Sequence, residues 1–155
     1  MSIWWSLHLR REAATVPLAR RMLLGAMDSA GVDPEISYDL AVAVSEACAN
    51  AVEHGSGSPA DGYRVTACID GDTCHVEVTD AGPGFPGVRA DLPATTVPVG
   101  EGAAQRLDEE HGRGLFLIES LADHVRFANR SRRGGAVVSF DKILKWRDDA
   151  LVRAG

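Results

Sequence analysis

The spacing of hydrophobic residues alternates along the chain between the two-residue period of strands and the three-to-four-residue period of helices. Residues 3–10, IWWSLHLR, alternate apolar and polar side chains, which predicts a half-buried strand. Two helices are predicted next. The first runs from Thr15, the predicted N-cap, to Gly31, and the second begins with Asp33 as its cap and Pro34 as its first residue.

The second half of the chain contains two predicted hairpins separated by a helix. Residues 63–70 and 73–80 flank Gly71 and Asp72, which predicts an antiparallel hairpin. Between 81 and 110, prolines and glycines interrupt every periodicity, and a segment of this length in a compact domain is typical of a functional lid. The remaining predicted elements are a helix within 111–125, whose apolar spacing starts at Leu115, strands over 125–130 and 135–140, and a short surface helix over 144–152.

Composition limits the possible classes of protein. A chain of 155 residues with 45% hydrophobic residues predicts one globular domain over 1–155. The net charge of -6 argues against direct nucleic-acid binding, which needs a concentrated basic face. The three cysteines form no C-x-x-C motif, so a reducing cytoplasm is expected. The opening apolar run is too short for a signal sequence or a membrane span, so no membrane association is expected.

Three polar residues recur at four-residue intervals on the second predicted helix. Glu46, Asn50 and His54 lie on one helix face, with successive tips about 6 Å apart. A solvated helix face is the ordinary explanation of such a column, but the alanines beside it leave room for a ligand. A carboxylate there can accept a proton, and an amide oxygen can bind a hard cation such as magnesium. Gly55 follows at once and is expected to end the helix.

A second candidate site lies at the end of the apolar strand 73–80. Asp80 is followed by A-G-P-G, so its carboxylate lies beside a backbone with little side-chain bulk, where it can accept a hydrogen bond from the amine of a flat ring. The alternative is an Asx-turn that closes the strand. The glycines that follow also match G-x-G-x-x-G, but the prolines between them remove amide donors and no helix follows, which excludes a dinucleotide fingerprint.

A third candidate site is the sequence HGRGL at 111–115. Gly112 and Gly114 are predicted to precede a helix, where free amides and the helix dipole favour an anion, and Arg113 adds a positive charge. The alternative is a flexible helix cap.

Taken in order, these motifs resemble a known family. The order is E-x-x-x-N-x-x-x-H-G on a helix, D-x-G-x-G after a strand, a lid rich in Pro and Gly, and G-x-G-L at a helix. It resembles the GHKL ATPases, or Bergerat fold, over about residues 6–140. The forms NAVEHG and GRGLFLIESLAD look most like bacterial anti-sigma-factor serine/threonine kinases of the switch-protein class. The resemblance implies an α+β two-layer sandwich, in which about three helices cover one face of a mixed, mostly antiparallel sheet, with an ATP lid at about 81–110.

The resemblance also implies roles for individual residues. Glu46 would be the general base, Asn50 the magnesium ligand and Asp80 the contact to the adenine amine. The other residues expected around ATP are His54, Gly55, Gly82, Gly84, Arg106, Gly112, Arg113, Gly114 and Leu115. The family often has Gly-Thr where this chain has Gly135 and Ala136, so water or another hydroxyl such as that of Thr79 replaces the threonine, or nucleotide affinity is lower.

The function implied is an ATP- and magnesium-dependent kinase that sequesters a sigma factor and phosphorylates an anti-anti-sigma antagonist of the STAS type. Two alternatives stay open: a nucleotide-dependent switch without turnover, and a histidine-kinase catalytic domain acting in trans. Arg20 and Arg21 on the first helix are the candidate partner contacts, although a solvated face explains them equally well. A homodimer through the first strand is expected, and adjacent Trp4 and Trp5 must point to opposite faces of that strand.

Overall fold

The predicted strands and helices form two layers in the computed structural model. One layer is a sheet, and the other consists of three helices. The structure describes residues 2–54, 62–80, 97–98, 109–129 and 135–148. Its strands are β1 (Ser2–Leu9), β2 (Tyr63–Asp70), β3 (Thr73–Asp80), β4 (Val97–Pro98), β5 (His124–Asn129) and β6 (Ala136–Ile143). Its α-helices are α1 (Val16–Ala30), α2 (Pro34–His54) and α3 (Glu109–Leu121), and a 3-10 helix (Ala13–Thr15) precedes α1.

The six strands follow the order β1-β2-β3-β6-β5-β4, and every ladder among the described residues is antiparallel. The α+β architecture implied by the sequence is therefore confirmed. The two-residue strand β4 lies inside the predicted lid and pairs with β5. The sequence did not predict β4, because two residues cannot display a period.

One face of the sheet is buried beneath the helices and the other is open. Burial alternates along β2 and β3, as expected when successive side chains point to opposite faces. Trp4 of β1 is 67% exposed, whereas Trp5 is half-buried, so the prediction that they face opposite sides is confirmed.

The helical layer packs on the buried face mainly through α2. This helix contacts β2, β3 and β6, and both α1 and α3 pack against it. The largest fully buried side chains include Tyr63, Phe140, Leu23, Met27, Leu40, Ile69, Leu115 and Ile118. In the part of the chain that the structure describes, no helix is long and apolar enough to cross a membrane.

The predicted starts of the first two helices are at the correct residues, but only one cap forms as expected. Asp33 Oδ1 accepts the amide hydrogen of Glu35 at 2.9 Å, and Pro34 is the first residue of α2. Thr15 directly precedes α1, but its hydroxyl makes no capping bond to the helix. The expectation of a Thr15 side-chain cap is therefore wrong, because the hydroxyl is bonded to other groups.

The third helix begins earlier than the sequence predicted. Since α3 starts at Glu109, the last two residues of the predicted lid belong to this helix. The prediction that Gly112 and Gly114 precede the helix is wrong, because both lie within it. The free amides of an α-helix are those of its first turn, so they begin at Glu109 and not at the glycines.

The short helix predicted over 144–152 is absent from residues 144–148, and the rest of that range lies outside the described residues. Trp146 pairs instead with Val32, and its indole Nε1 donates to Asp72 Oδ1 at 2.9 Å. Arg147 donates to Asp28 Oδ1 at 2.7 Å and to the Asp28 carbonyl at 2.9 Å, near the end of α1. Long-range partners therefore override a weak helical pattern here.

Candidate functional site

Two of the predicted site residues lie one turn apart near the end of α2. Asn50 is 8% exposed, whereas Glu46 is half-buried. Ala47 and Ala51 beside them are buried in the core, so the polar pair follows the border between core and solvent. A half-exposed carboxylate next to a buried amide suits a base that must reach a substrate beside a fixed cation ligand.

Asp80 is the last residue of β3, and its carboxylate is buried. It is 7% exposed, and its Oδ1 accepts the amide hydrogen of Ala136 on β6 at 3.3 Å. This bond uses the main chain, so it does not require a threonine at position 136. Thr79 points to the opposite face of β3, so the suggestion that its hydroxyl replaces the missing threonine is wrong.

Asp80 and the end of α2 are connected through Tyr63. Tyr63 is the residue directly opposite Asp80 in the β2–β3 ladder. Its hydroxyl is hydrogen-bonded to Cys48 of α2, which lies between Glu46 and Asn50 in the sequence. The structure therefore brings this part of α2 to the end of the hairpin that carries Asp80.

Burial controls the ionisation of the two groups that join these elements. Loss of solvent is the largest cause that raises the pKa of the Cys48 thiol and that of the Tyr63 phenol, to about 12 each. Both groups are therefore neutral at physiological pH. Neither is therefore an anionic nucleophile at that pH.

The sequence analysis did not single out Tyr63. An inward-facing tyrosine in a strand is ordinarily a core residue. The available signal was its hydroxyl, because a buried phenol usually needs a hydrogen-bond partner.

The remaining predicted ATP-site residues are only partly described. Leu115 is fully buried, so its side chain belongs to the core beneath α3 and does not line an open cleft. Gly112, Arg113 and Gly114 lie in α3, which packs against α2. His54 is the last residue of α2. The side chains of His54 and Arg113, together with residues Gly55, Gly82, Gly84 and Arg106, lie outside the described part of the structure.

The described side chains alone do not assemble a metal site. No group of three or more His, Cys, Asp or Glu residues among them could hold a metal ion. Magnesium in nucleotide sites usually keeps several waters and is held by one or two protein oxygens together with the phosphates. The amide oxygen of Asn50 is therefore compatible with a magnesium site that the nucleotide completes.

The candidate partner residues lie on an exposed face of α1. Arg20 and Arg21 are exposed, as are the neighbouring apolar side chains Leu18 and Met22. A mixed basic and apolar face of this kind can bind a protein partner, and it can also be a solvated helix face.

Comparison with known proteins shows the family to which the chain belongs. Residues 9–142 match the family described as histidine kinase-like ATPase domain. The serine-protein kinase RsbW of Staphylococcus epidermidis is 32% identical over 144 residues, covering 90% of this chain and 86% of that protein. The serine-protein kinase RsbW of Listeria monocytogenes is 36% identical over 122 residues, covering 78% of this chain and 76% of that protein.

The fold also matches a solved structure. The crystal structure of the RsbU and RsbW domains of a Mycobacterium tuberculosis protein superposes with a TM-score of 0.68 at 21% identity. The match covers 99% of this chain and 34% of that longer chain, so it supports the fold. From the family match and these relatives, we conclude that the chain belongs to the histidine kinase-like ATPase domain family and, within it, to the group of the RsbW serine-protein kinases.

Proposed function

We propose that this chain is an ATP- and magnesium-dependent serine/threonine kinase that acts as an anti-sigma factor. In this proposal it holds a sigma factor and releases or recaptures it by phosphorylating an anti-anti-sigma antagonist of the STAS type. The observation that carries the proposal is the half-exposed Glu46 one turn from the buried Asn50, on the helix that reaches the hairpin of Asp80. The names of the relatives support the same activity.

Each of the three residues has a distinct task in the proposed reaction. Asp80 accepts a hydrogen bond from the exocyclic amine of adenine, and its bond to the Ala136 amide fixes the orientation of the carboxylate. The amide oxygen of Asn50 is the protein ligand for magnesium. When bound, magnesium supplies charge compensation for the phosphates.

Glu46 takes the proton of the attacking serine or threonine hydroxyl. The hydroxyl oxygen forms a bond to the terminal phosphorus while the bond from that phosphorus to the bridging oxygen breaks, and ADP leaves. This chemistry depends on positioning and charge compensation more than on covalent help from the protein, so a metal, oriented amides, one arginine and one base are sufficient.

The test is transfer of labelled terminal phosphate from ATP to the cognate antagonist in the presence of magnesium. We expect acid-stable phosphate on a serine or threonine of the antagonist. Acid-labile phosphate on a histidine would support the histidine-kinase alternative. Binding of ATP and of the antagonist without any transfer would support a switch without turnover.

We propose that the exposed face of α1 binds the sigma factor through Arg20 and Arg21. Arg20→Glu is expected to weaken the complex with the sigma factor at least about tenfold, because opposite charges would be replaced by like charges. ATP affinity should stay within twofold of wild type. The matched control is Arg126→Glu, which reverses another exposed charge, on β5. Equal sigma binding by both variants would contradict the assignment.

We also propose that the chain forms a homodimer through β1. This strand is at the edge of the sheet, where it pairs only with β2 among the described strands, and it carries the exposed Trp4. Trp4→Lys is expected to convert a dimer into a monomer in sedimentation at micromolar concentration. The control is Tyr38→Lys on α2, because Tyr38 is also 67% exposed. A monomeric wild-type chain would contradict the proposal.

A cytoplasmic location follows from the proposed partner, because sigma factors act on transcription inside the cell. All three cysteines of the chain are free, which is compatible with a reducing compartment.

A further inference from the structure

Tyr63 lies at the centre of a buried network that the proposed reaction does not use. It stands directly opposite Asp80 in the β2–β3 ladder, and both side chains face the helical layer. Residues directly opposite in an antiparallel pair have Cβ atoms about 4.5–5.5 Å apart, so the side chain of Tyr63 starts beside that of Asp80 on the same face of the sheet. Tyr63 itself is 1% exposed.

The hydroxyl at the tip of the Tyr63 side chain is hydrogen-bonded to Thr15. Tyr63 Oη lies 2.7 Å from Thr15 Oγ1, and this contact is buried. Thr15 Oγ1 is also 2.9 Å from the carbonyl of Arg10 and 2.7 Å from the carbonyl of Glu12. Carbonyl oxygens only accept, so the single hydroxyl proton of Thr15 goes to them, and Tyr63 is therefore the donor to Thr15.

The position of Thr15 in the chain gives this bond its significance. Thr15 directly precedes α1, the helix that carries Arg20 and Arg21. Burial raises the pKa of Tyr63 to about 12, so the phenol keeps the proton that it donates. If the start of α1 moved away, the buried phenol would lose this acceptor and keep only its contact with the sulfur of Cys48, which is a weak acceptor, and this loss is costly. The start of α1 is thus joined to the residue that stands opposite Asp80 in the ladder.

We infer that Tyr63 is a positioning residue that fixes the Asp80 carboxylate for adenine and connects the adenine site to the start of α1. The inference rests on the proposed role of Asp80 in nucleotide binding. A well-placed carboxylate favours adenine, which offers an amine, over guanine, which offers a carbonyl oxygen at the same ring position. Loss of the bond between Tyr63 and Thr15 is therefore expected to reduce the preference for adenine over guanine.

The test compares the affinities of the full chain for ADP and GDP with magnesium, measured by calorimetry. Tyr63→Phe keeps the ring but removes the donor, and Thr15→Val removes the acceptor from the other end. Each is expected to lower the preference for ADP over GDP at least about fivefold, the scale of one hydrogen bond. Thr15→Ser keeps the hydroxyl and should stay within twofold of wild type.

A matched control removes a different hydroxyl pair from the same strand. Thr66 Oγ1 lies 3.3 Å from Ser6 Oγ, and this pair is exposed. Thr66→Val should leave the selectivity within twofold of wild type. All measurements are made well below the melting temperature of each variant. A lower melting temperature with unchanged selectivity in Tyr63→Phe and Thr15→Val would show a structural role only and would overturn the inference.

Hydrogen exchange tests the connection to α1. Magnesium and ADP are expected to slow the exchange of the amides of residues 13–18 in the wild-type chain and not in Tyr63→Phe. Equal slowing in both chains would overturn the connection. If the wild-type chain bound ADP and GDP with equal affinity, the proposed role of Asp80 would be overturned as well. If the wild-type chain preferred ADP and Tyr63→Phe preferred it equally, only the role of Tyr63 would be overturned.

Discussion

Asp80→Asn is expected to lower the affinity for ATP at least about 100-fold, which is the scale of a hydrogen bond to a buried charged acceptor. The substitution preserves size but replaces one acceptor oxygen with an amide NH2 group, which is a donor. One oxygen of Asp80 already accepts the amide of Ala136. An asparagine that keeps the bond to Ala136 with its oxygen turns its NH2 group toward the amine of adenine. Two hydrogen-bond donors then face each other. Calorimetry with magnesium and ATP measures the loss.

The control for this variant is Asp70→Asn. Asp70 lies on the same hairpin at the end next to the turn, and it is exposed. Its substitution should leave ATP affinity within twofold of wild type. Both variants must show the wild-type circular dichroism spectrum. If Asp80→Asn bound ATP with an affinity within threefold of wild type, Asp80 would not be the adenine contact.

The elements with strong local signals were predicted correctly from the sequence. The turn at Gly71 requires a positive φ, observed at +60°, and the alternation on either side fixes the register of the β2–β3 hairpin. Asp33 and Pro34 mark the start of α2 because capping involves only neighbouring residues. At such positions the neighbouring residues alone are sufficient to predict the local structure.

The elements that depend on distant partners were not predicted. Thr15 is of a residue type that often caps helices and directly precedes α1, yet its hydroxyl is bonded to Tyr63, 48 positions away. Trp146 has a place in a helical pattern, yet it pairs with Val32 and donates to Asp72. A pattern read along the chain does not contain these contacts, because the fold creates them.

The candidate site divides in the same way. Glu46 and Asn50 could be proposed from the sequence because helical periodicity places them on one face, and Asp80 because it ends a strand before small residues. The bond from Ala136 to Asp80 joins residues 56 positions apart and could not be predicted. The alternatives considered for Ala136, a substitute hydroxyl or a lower nucleotide affinity, concerned its side chain, whereas the observed bond comes from its backbone amide.

Glu46→Gln is expected to lower the rate of phosphoryl transfer to the antagonist by about 10²–10⁴, the usual contribution of a general base, with ATP affinity within threefold of wild type. The glutamine amide has nearly the shape of the carboxylate but cannot take the hydroxyl proton. The rate is measured as labelled phosphate on the antagonist at saturating ATP. Glu35→Gln is the control, because Glu35 is an exposed carboxylate at the opposite end of the same helix.

The two site variants together separate a kinase from a nucleotide switch. Asp80→Asn weakens nucleotide binding, and it therefore reduces both phosphoryl transfer and any nucleotide-dependent exchange of partners. Glu46→Gln removes transfer alone, so a chain that works through phosphorylation would stay bound to the unmodified antagonist in this variant and would not recapture the sigma factor. If Glu46→Gln still recaptured the sigma factor normally in the presence of the antagonist, turnover would not be required, and nucleotide binding at Asp80 would be the regulatory event.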